Sequence, residues 1–250
     1  MNRHVRIAWR LSVLLVLILG GLLAVSVIYP WSGAAARAWM NRSWSRALLW
    51  TCGLRVSARG QPLASGPVLF VANHVSWLDI FVMNSLRPTA FVAKQEIRRW
   101  PVVGWLVAGA GTLFIERGSR RAMHAVGQAM QARFERNEAV GLFPEGTTSD
   151  GLSLLPMHTG LLEPARFGGV PIQPLALVYS NGGARSRFPA FVGEETLVRN
   201  LFRILGARHL DVCADYAPPV VGEALGRAAL ADRVRAALIE RLQMAPGARD

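Results

Sequence analysis

An uncharged stretch near the amino terminus constrains this chain more than any other feature. Residues 11–29 are LSVLLVLILGGLLAVSVIY and contain no Asp, Glu, Lys or Arg. As a helix this stretch would be about 28 Å long, close to the thickness of a bilayer core. Arg3, Arg6 and Arg10 precede it, and such a charge bias favours an amino terminus on the cytoplasmic side. The sequence therefore predicts a membrane-associated, transmembrane-length helix that ends at Pro30.

A cleaved signal peptide is an alternative interpretation of the same stretch. The alanines at 34–36 resemble a cleavage site. The apolar stretch is longer than the core of a usual signal peptide, which favours a retained helix.

Residues 38–54 predict a second, amphipathic helix. Met40, Trp44 and Leu48 recur at intervals of four residues, with arginines on their flank. Tryptophans are concentrated in the same part of the chain, and indole rings favour the headgroup layer. We therefore expect residues 1–57 to form a membrane anchor whose two helices dip as a pair into the cytoplasmic leaflet. A helix packed on a soluble domain and a single spanning helix are the alternatives.

From about residue 65, short apolar runs alternate with helical patterns. This alternation predicts an α/β domain over residues 58–244, with a mainly parallel sheet flanked by helices, and a tail over residues 245–250. The predicted strands cover 68–72, 90–93, 112–115, 140–143, 172–178, 188–192 and 209–214. The predicted helices cover 77–86, 102–108, 120–137, 160–167, 197–205 and 225–243.

The basic composition points to an anionic partner. A formal net charge of +12 suits nucleic acid, a membrane surface or an acidic substrate, although codon bias toward arginine is an alternative source of part of it. A nucleic-acid binder would interleave basic and aromatic residues on one face, whereas the aromatic residues here gather near the apolar stretch. We therefore expect an anionic membrane as partner, and no nucleic acid.

The first of three polar motifs follows a predicted strand, in the segment VLFVANHVSWLD. Asn73 and His74 come directly after the apolar run, and Asp79 follows His74 by five positions. A neutral imidazole can accept a proton from a hydroxyl, and a carboxylate on its other nitrogen fixes the tautomer and stabilises the imidazolium. Five positions do not match one helix face, so we expect His74 in the turn before a helix and Asp79 about one turn inside it. A histidine that caps the helix is the alternative.

The second motif, GTLFIER, ends a short strand with Glu116 and Arg117. A guanidinium offers a donor fork that suits phosphate. The pair therefore predicts an anion site, with a surface salt bridge as the alternative.

The third motif, AVGLFPEGTTSDG, is a buried strand interrupted by a proline. Glu145 could accept hydrogen bonds from a hydroxyl, and Gly146 would let the backbone approach a ligand closely. Thr147 and Thr148 add hydrogen-bond donors. An ordinary turn followed by a helix cap is the alternative.

In this order, the three motifs resemble the sequence blocks of the glycerolipid acyltransferase family, which includes bacterial 1-acyl-glycerol-3-phosphate acyltransferase. NHVSWLD resembles the His-x4-Asp block, GTLFIER the second block and FPEGTTS the third. A fourth block is similar to VPIQPLAL at 170–177, and Lys94, Pro101 and Gly104 also fall where the family tends to have them. The resemblance covers about residues 65–180.

The resemblance implies an acyltransferase of phospholipid biosynthesis. Such an enzyme moves a fatty acyl chain from acyl-CoA or acyl carrier protein to the free hydroxyl of a lysolipid. His74 is then the general base, Asp79 orients it, and no metal or cofactor takes part. The expected location is the bacterial inner membrane, with the active site facing the cytoplasm. The expected substrate-binding residues are Asn73, Ser76, Lys94, Glu116, Arg117, Glu145, Gly146, Thr147 and Thr148. An inactive scaffold would be expected to lack His74 or Asp79, and both are present.

One departure from the family pattern bears on the acceptor. The family often has an arginine, tied to the acceptor phosphate, where this chain has Thr148. We expect 1-acyl-sn-glycerol-3-phosphate as acceptor, since Lys94 and Arg117 could still bind a phosphate. The lyso-ornithine lipid, which has no phosphate, is the alternative, together with other lysophospholipids.

Overall fold

The computed structural model describes residues 2–116, 118–222 and 224–245, which form a mixed sheet with helices on both faces. The α-helices are α1 Arg3–Leu23, α2 Ala34–Cys52, α3 Asp79–Leu86, α4 Val103–Gly109, α5 Arg120–Glu135, α6 Glu163–Phe167, α7 Leu197–Gly206 and α8 Arg227–Gln243. The strands are β1 Leu54–Arg59, β2 Val68–Ala72, β3 Thr89–Lys94, β4 Leu113–Ile115, β5 Ala139–Leu142, β6 Ile172–Asn181, β7 Ala184–Arg185 and β8 Leu210–Tyr216.

The strand order is β1-β8-β6-β2-β5-β3-β4, with β7 paired to β6. The pairs β1–β8, β2–β5, β2–β6, β3–β5 and β3–β4 are parallel. The pairs of β6 with β7 and with β8 are antiparallel. The predicted α/β class with a mainly parallel sheet is therefore confirmed, and β2, β3, β4 and β5 all end at one edge of the sheet.

The central position of β2 follows from its sequence. All five residues of VLFVA are buried, as expected for a strand that is covered on both faces. Phe70 packs in the cluster that includes side chains of α1, α2, α3 and α7. Leu69 and Val71 point into the opposite cluster, with side chains of α5, α6 and α8. Strand β2 thus lies in the middle of three layers, and the residues that follow it are held by a rigid support.

The apolar helix is longer than the sequence predicts. It begins at Arg3, where the Asn2 side chain caps the amide of His4, and it continues through a π-helical turn, Ala24–Ile28, into a 3-10 turn that ends at Trp31. Pro30 lies at the start of this turn, a position that needs no N–H donor. In the described part of the chain, this run is the one helix long and apolar enough to cross a membrane, with a mean hydropathy of 2.9.

Two arginines of α1 bind the protein itself. Arg6 donates to the carbonyl of Gly206 at 2.6 Å. Arg10 donates to the carbonyls of Leu205 at 3.0 Å and Ala207 at 2.7 Å. These carbonyls lie at the carboxyl end of α7, where the helix dipole favours a cation. The amino-terminal half of α1 is therefore fixed against α7.

Helix α2 leads directly into the sheet. It is capped by Gly53, whose φ of 76° lies in the left-handed region that glycine adopts readily. Strand β1 begins one residue later and pairs with β8, so it straddles the predicted boundary between residues 57 and 58. Leu48 and Leu49 are buried in the core. The division into an anchor and an acyltransferase domain stays a prediction.

The predicted strand at 188–192 is wrong. These residues form a loop, because the amide of Phe191 bonds to the carbonyl of Val75 at 2.9 Å instead of to a neighbouring strand. Strands β1 and β7 were not expected. Residues 246–250 of the predicted tail lie outside the described residues.

Candidate active site

His74 and Asp79 form a hydrogen-bonded pair at the carboxyl end of β2. The Nδ1 atom of His74 lies 2.7 Å from Oδ2 of Asp79. The predicted turn before the helix is confirmed for His74, but Asp79 is the first residue of α3 and does not lie one turn inside it. The Asp79 side chain is fully buried, whereas the His74 side chain is 23% exposed. The pair therefore places a supported imidazole at the surface of the sheet edge.

The other contacts of Asp79 assign the histidine tautomer. Its Oδ2 also accepts from the amides of Val75 at 2.7 Å and Ser76 at 2.9 Å. Such donors stabilise the ionised carboxylate, and a carboxylate can only accept a hydrogen bond from His74. Nδ1 of His74 therefore carries the proton, which leaves the lone pair of Nε2 available as a base.

Tyr179 is a third member of this arrangement. Its hydroxyl donates to Oδ1 of Asp79 at 2.6 Å. Burial and the adjacent Asp79 carboxylate raise the pKa of Tyr179 well above its ordinary value, so the hydroxyl stays a donor. Tyr179 belongs to β6.

Asn73 ties the catalytic turn to β6. Its side chain donates to the carbonyl of Leu177 at 3.1 Å and accepts from the amide of Leu177 at 2.7 Å. These two bonds reproduce the pairing of a strand residue one position beyond the end of β2. Asn73 is fully buried, and this geometry supports the turn that carries His74.

Glu145, in the segment that follows β5, supports the turn that carries His74. One carboxylate oxygen accepts from the amide of His74 at 2.7 Å, and the other from the amide of Leu155 at 3.0 Å. The side chain is 5% exposed, and burial raises the pKa of Glu145 despite these two bonds. Glu145 thus contacts the backbone of the catalytic histidine, and its role toward an acceptor stays a prediction.

The rest of the third motif closes around the His74 turn. Ser149 donates its amide to the carbonyl of His74 at 2.7 Å. Gly146 has a φ of 67°, which explains a glycine at this turn. The hydroxyl of Thr148 donates to the carbonyl of Phe191, and Thr147 is exposed. The motif therefore meets the first motif side by side, as the shared sheet edge predicts.

Phe143 forms an apolar wall beside the base. Its ring stacks on the His74 ring with the two centroids 4.1 Å apart and the planes 14° apart. On its other side, the Phe143 and Phe91 rings have centroids 5.7 Å apart. The imidazole is therefore held between a carboxylate and an aromatic face, which restricts its rotation.

Lys94 and Glu116 lie farther along the same edge. Lys94 ends β3 and pairs in register with Ile115 of β4, directly before Glu116; both charged side chains are exposed. Strand β3 is two positions from β2, about 10 Å at ordinary strand spacing, and β4 is about 14 Å away. Arg117 lies outside the described residues. The structure therefore gathers Asn73, His74, Ser76, Asp79, Glu145, Gly146 and Thr148 into one cluster and places Lys94 and Glu116 away from it.

Within residues 2–116, 118–222 and 224–245, no group of three or more His, Cys, Asp or Glu side chains is arranged to hold a metal ion.

Comparison with known proteins identifies this architecture. A family model described as acyltransferase matches residues 54–178, half of the chain, and this segment contains the His74–Asp79 pair. The chain belongs to the acyltransferase family. The predicted membership in the glycerolipid acyltransferases is confirmed by this match together with the relatives described next.

This acyltransferase is similar to curated proteins of two kinds. It is 38% identical over 172 residues to lyso-ornithine lipid O-acyltransferase of Pseudomonas aeruginosa. This match covers 69% of this chain and 66% of that relative. It is 38% identical over 179 residues to 1-acyl-sn-glycerol-3-phosphate acyltransferase of Neisseria gonorrhoeae, 70% of each chain. It is also 35% identical over 222 residues to lyso-ornithine lipid O-acyltransferase of Rhizobium meliloti, 84% of this chain and 76% of that relative.

A solved structure shares the fold of this acyltransferase. It is the crystal structure of the 1-acyl-sn-glycerophosphate (LPA) acyltransferase, PlsC, from Thermotoga maritima, with a TM-score of 0.69 and 19% sequence identity. The match covers 96% of this chain and 95% of that chain. It therefore includes the amino-terminal helices as well as the sheet.

Sequence analysis of this acyltransferase missed Tyr179, Phe143 and Phe191. Tyr179 directly follows the apolar strand of the fourth block, and a tyrosine at the end of a buried strand was the available signal. Phe143 begins the FPEG segment and was interpreted as part of a buried strand. Phe191 takes part in the hydrogen bonds described above through its backbone N–H and carbonyl, so its residue type could not have predicted them.

Proposed function

We propose that the chain transfers a fatty acyl group from the thioester of acyl-CoA or acyl carrier protein to the free hydroxyl of a lysolipid. The observation that carries this proposal is the 2.7 Å contact of His74 Nδ1 with the buried Asp79, which leaves Nε2 as a base at the exposed end of the pair. Membership in the acyltransferase family supports it.

The proposed reaction is a direct transfer. Nε2 of His74 accepts the proton of the acceptor hydroxyl as the oxygen attacks the thioester carbonyl. Asp79 stabilises the imidazolium that forms, and backbone N–H groups near the pair are the proposed donors to the tetrahedral oxyanion. When the intermediate collapses, the C–S bond breaks and the thiolate takes the proton from His74. The proton taken from the acceptor hydroxyl thus leaves on the thiol, and we propose no further cofactor.

We propose 1-acyl-sn-glycerol-3-phosphate as the acceptor and phosphatidic acid as the product. Exposed cations support a phosphate group at this edge: Lys94 at the end of β3, with Arg98 and Arg99 in the turn that follows. Strand β3, which leads into this turn, lies two positions from β2, a span suited to a headgroup that reaches away from the reacting hydroxyl. The similarity to the Neisseria gonorrhoeae enzyme is consistent with this choice.

The lyso-ornithine lipid is the second candidate, and Thr148 favours it. Its hydroxyl bonds to the carbonyl of Phe191, so this position offers a phosphate neither a cation nor an uncommitted donor hydrogen. The similarity to the Pseudomonas aeruginosa and Rhizobium meliloti enzymes is consistent with this alternative.

One assay separates the two acceptors. The purified chain is given a labelled acyl thioester and either 1-acyl-sn-glycerol-3-phosphate or lyso-ornithine lipid at matched concentrations. Acylation of the phosphate lipid at the higher kcat/KM supports the first choice, and turnover of lyso-ornithine lipid alone would overturn it. Running CoA and carrier-protein thioesters in parallel identifies the donor.

We propose that the enzyme works at the cytoplasmic face of a bacterial inner membrane, with α1 and α2 in the adjoining leaflet. One face of α1 packs against the protein, since the carbonyl of Leu17 accepts from Trp44 at 2.8 Å and Gly21 lies against Leu106 of α4. The opposite face is apolar and exposed at Leu15, Val16, Leu19, Leu23 and Val27. Trp105 of α4, a helix that packs against α1, is also exposed.

Protease access tests the proposed orientation. Sealed inside-out and right-side-out membrane vesicles are treated with protease, and loss of a carboxyl-terminal tag is measured. Cleavage in inside-out vesicles is the expected result. Cleavage confined to right-side-out vesicles would place the sheet on the periplasmic side and contradict the proposal.

A further inference from the structure

We propose that Tyr179 is a positioning residue of the active site, whose hydroxyl holds the Asp79 carboxylate in the orientation that directs Oδ2 toward His74. This inference rests on the proposed function of His74 as general base. It adds a residue that acts through Asp79 and does not touch the substrate.

The strand register brings Tyr179 to this position. In the parallel pair of β2 and β6, Ala72 lies opposite Leu175. Strand β2 ends there, but β6 continues to Asn181. Leu175, Leu177 and Tyr179 alternate along β6 and point into the same core cluster. Tyr179 therefore extends past the end of β2 on the face where α3 begins with Asp79.

The hydrogen bonds of Asp79 show why one hydroxyl matters. Oδ2 accepts from three groups, the His74 ring and the amides of Val75 and Ser76, whereas the described donor to Oδ1 is the Tyr179 hydroxyl. Leaving a fully buried carboxylate oxygen without a hydrogen-bond donor raises the free energy of that arrangement. Rotation about the Cβ–Cγ bond would then let Oδ1 share the donors of Oδ2, which would move Oδ2 away from the line to Nδ1.

The other titratable groups near Asp79 are not recorded as donors to Oδ1. Cys52 of α2 faces the tyrosine, and burial raises the pKa of its thiol to about 12, so it adds no charge. Glu145, in the turn that follows β5, also lies next to the pair, but both its oxygens accept from the backbone amides of His74 and Leu155. Among the titratable side chains described around the pair, Tyr179 is the one recorded as donating to Oδ1.

Tyr179→Phe is the direct test, because it removes one oxygen and keeps the ring. We expect kcat to fall roughly tenfold, the loss expected for a hydrogen bond to a charged group, with KM for both substrates unchanged. Because Oδ2 then lies off the line to Nδ1, Asp79 stabilises protonated His74 less, so the acid limb of the kcat/KM profile moves to lower pH. Tyr216→Phe is the matched control: Tyr216 is another buried tyrosine of the sheet, packed on Phe70, and its variant should keep the wild-type kcat and profile.

A double-mutant cycle shows whether Tyr179 acts through Asp79. Adding Tyr179→Phe to Asp79→Asn should cost no further activity, because the carboxylate it positions is already absent. Equal losses from Tyr179→Phe in both backgrounds would overturn the proposal, as would wild-type kcat and pH profile in the single variant. Loss of activity in His74→Ala with a wild-type Tyr179→Phe would refute this inference alone, whereas wild-type activity in His74→Ala would refute the proposed function.

A second measurement requires neither turnover nor a folded Tyr179→Phe variant. The chain carrying Tyr29→Phe and Tyr216→Phe is made with 3-fluorotyrosine, which strengthens the donor at position 179 and keeps its shape. The Nδ1 proton of His74, observed by NMR, should shift relative to the same chain with tyrosine. An unchanged resonance would contradict a role of the hydroxyl in setting the His74–Asp79 bond.

Discussion

The carboxylate of Asp79 lies 2.7 Å from the ring of His74 because the four residues between them form a turn that folds back on the same oxygen. The amides of Val75 and Ser76 bind Oδ2 together with His74. A spacing of five would separate the two side chains on one continuous helix. The turn instead makes the carboxylate both a structural acceptor and the partner of the base.

Asp79→Asn should lower kcat by about a hundredfold or more, with a small change in KM. The amide is neutral, so it stabilises the imidazolium poorly and lets His74 adopt the other tautomer. Steady-state rates with a labelled thioester measure the effect. Asp232→Asn is the control, because Asp232 is exposed on α8. Wild-type kcat in Asp79→Asn would contradict the assigned role.

Asn73→Ala should destabilise the fold by about 2–3 kcal/mol, because two hydrogen bonds are lost and buried groups of Leu177 are left unpaired. Denaturant unfolding measures the change. Asn84→Ala is a suitable comparison, since the buried Asn84 side chain accepts one bond, from the amide of Thr89 at 2.8 Å, and should cost less. Equal stability of Asn73→Ala and the wild type would show that the turn does not depend on this side chain.

Glu145→Gln should lower stability near pH 4, because the Gln amide nitrogen cannot accept from a backbone amide, whereas both oxygens of a protonated carboxyl still can. The difference from the wild type should shrink as the pH rises. Burial raises the pKa of Glu145 above its ordinary 4.5, so the folded state binds more protons than the unfolded state above that pH, and the Glu145 contribution to stability falls as the pH rises through the raised value.

Unfolding curves of the wild type and Glu145→Gln, collected from pH 4 to pH 7, measure this difference. Glu194→Gln serves as the matched control, because Glu194 is exposed in a loop and its variant should follow the wild type throughout. A stability difference for Glu145→Gln that grows with pH would contradict the assigned direction.

Trp105→Ser should weaken binding to vesicles that contain anionic lipid. The Trp105 side chain is 67% exposed on α4, which packs against α1, and losing one buried aromatic contact with lipid would reduce the affinity about tenfold. Co-sedimentation with vesicles measures the binding. Phe167→Ser is the control, since Phe167 is 73% exposed on α6, across the sheet from α1. Equal losses for both variants would refute a specific membrane face at α4.

The catalytic pair could be predicted because it is local in sequence. His74 and Asp79 follow one buried strand within seven residues, and strand β2 has an unmistakable apolar pattern. Tyr179 lies 100 positions from Asp79, and their contact depends on β6 lying next to β2. Strand order arises from the packing of the whole sheet, so it cannot be predicted from a local sequence pattern.

The arginines of α1 also show that sequence position does not predict tertiary contacts. Arg6 and Arg10 precede an apolar stretch, and their position predicts an amino terminus on the cytoplasmic side. In the structure they bind carbonyls at the end of α7, nearly 200 positions away. A sequence pattern reports where a charge lies along the chain, while the acceptor that it meets is decided by tertiary packing.

The initial rate of acyl transfer by His74→Ala tests the central claim most directly. Purified wild type and variant are compared with labelled acyl thioester and both lysolipids, with the far-UV spectrum and vesicle binding as checks of fold and attachment. We expect a folded, membrane-bound variant whose rate is reduced at least about a hundredfold, the lower range for losing a general base. A variant with near wild-type turnover would contradict the assignment of His74 as the base.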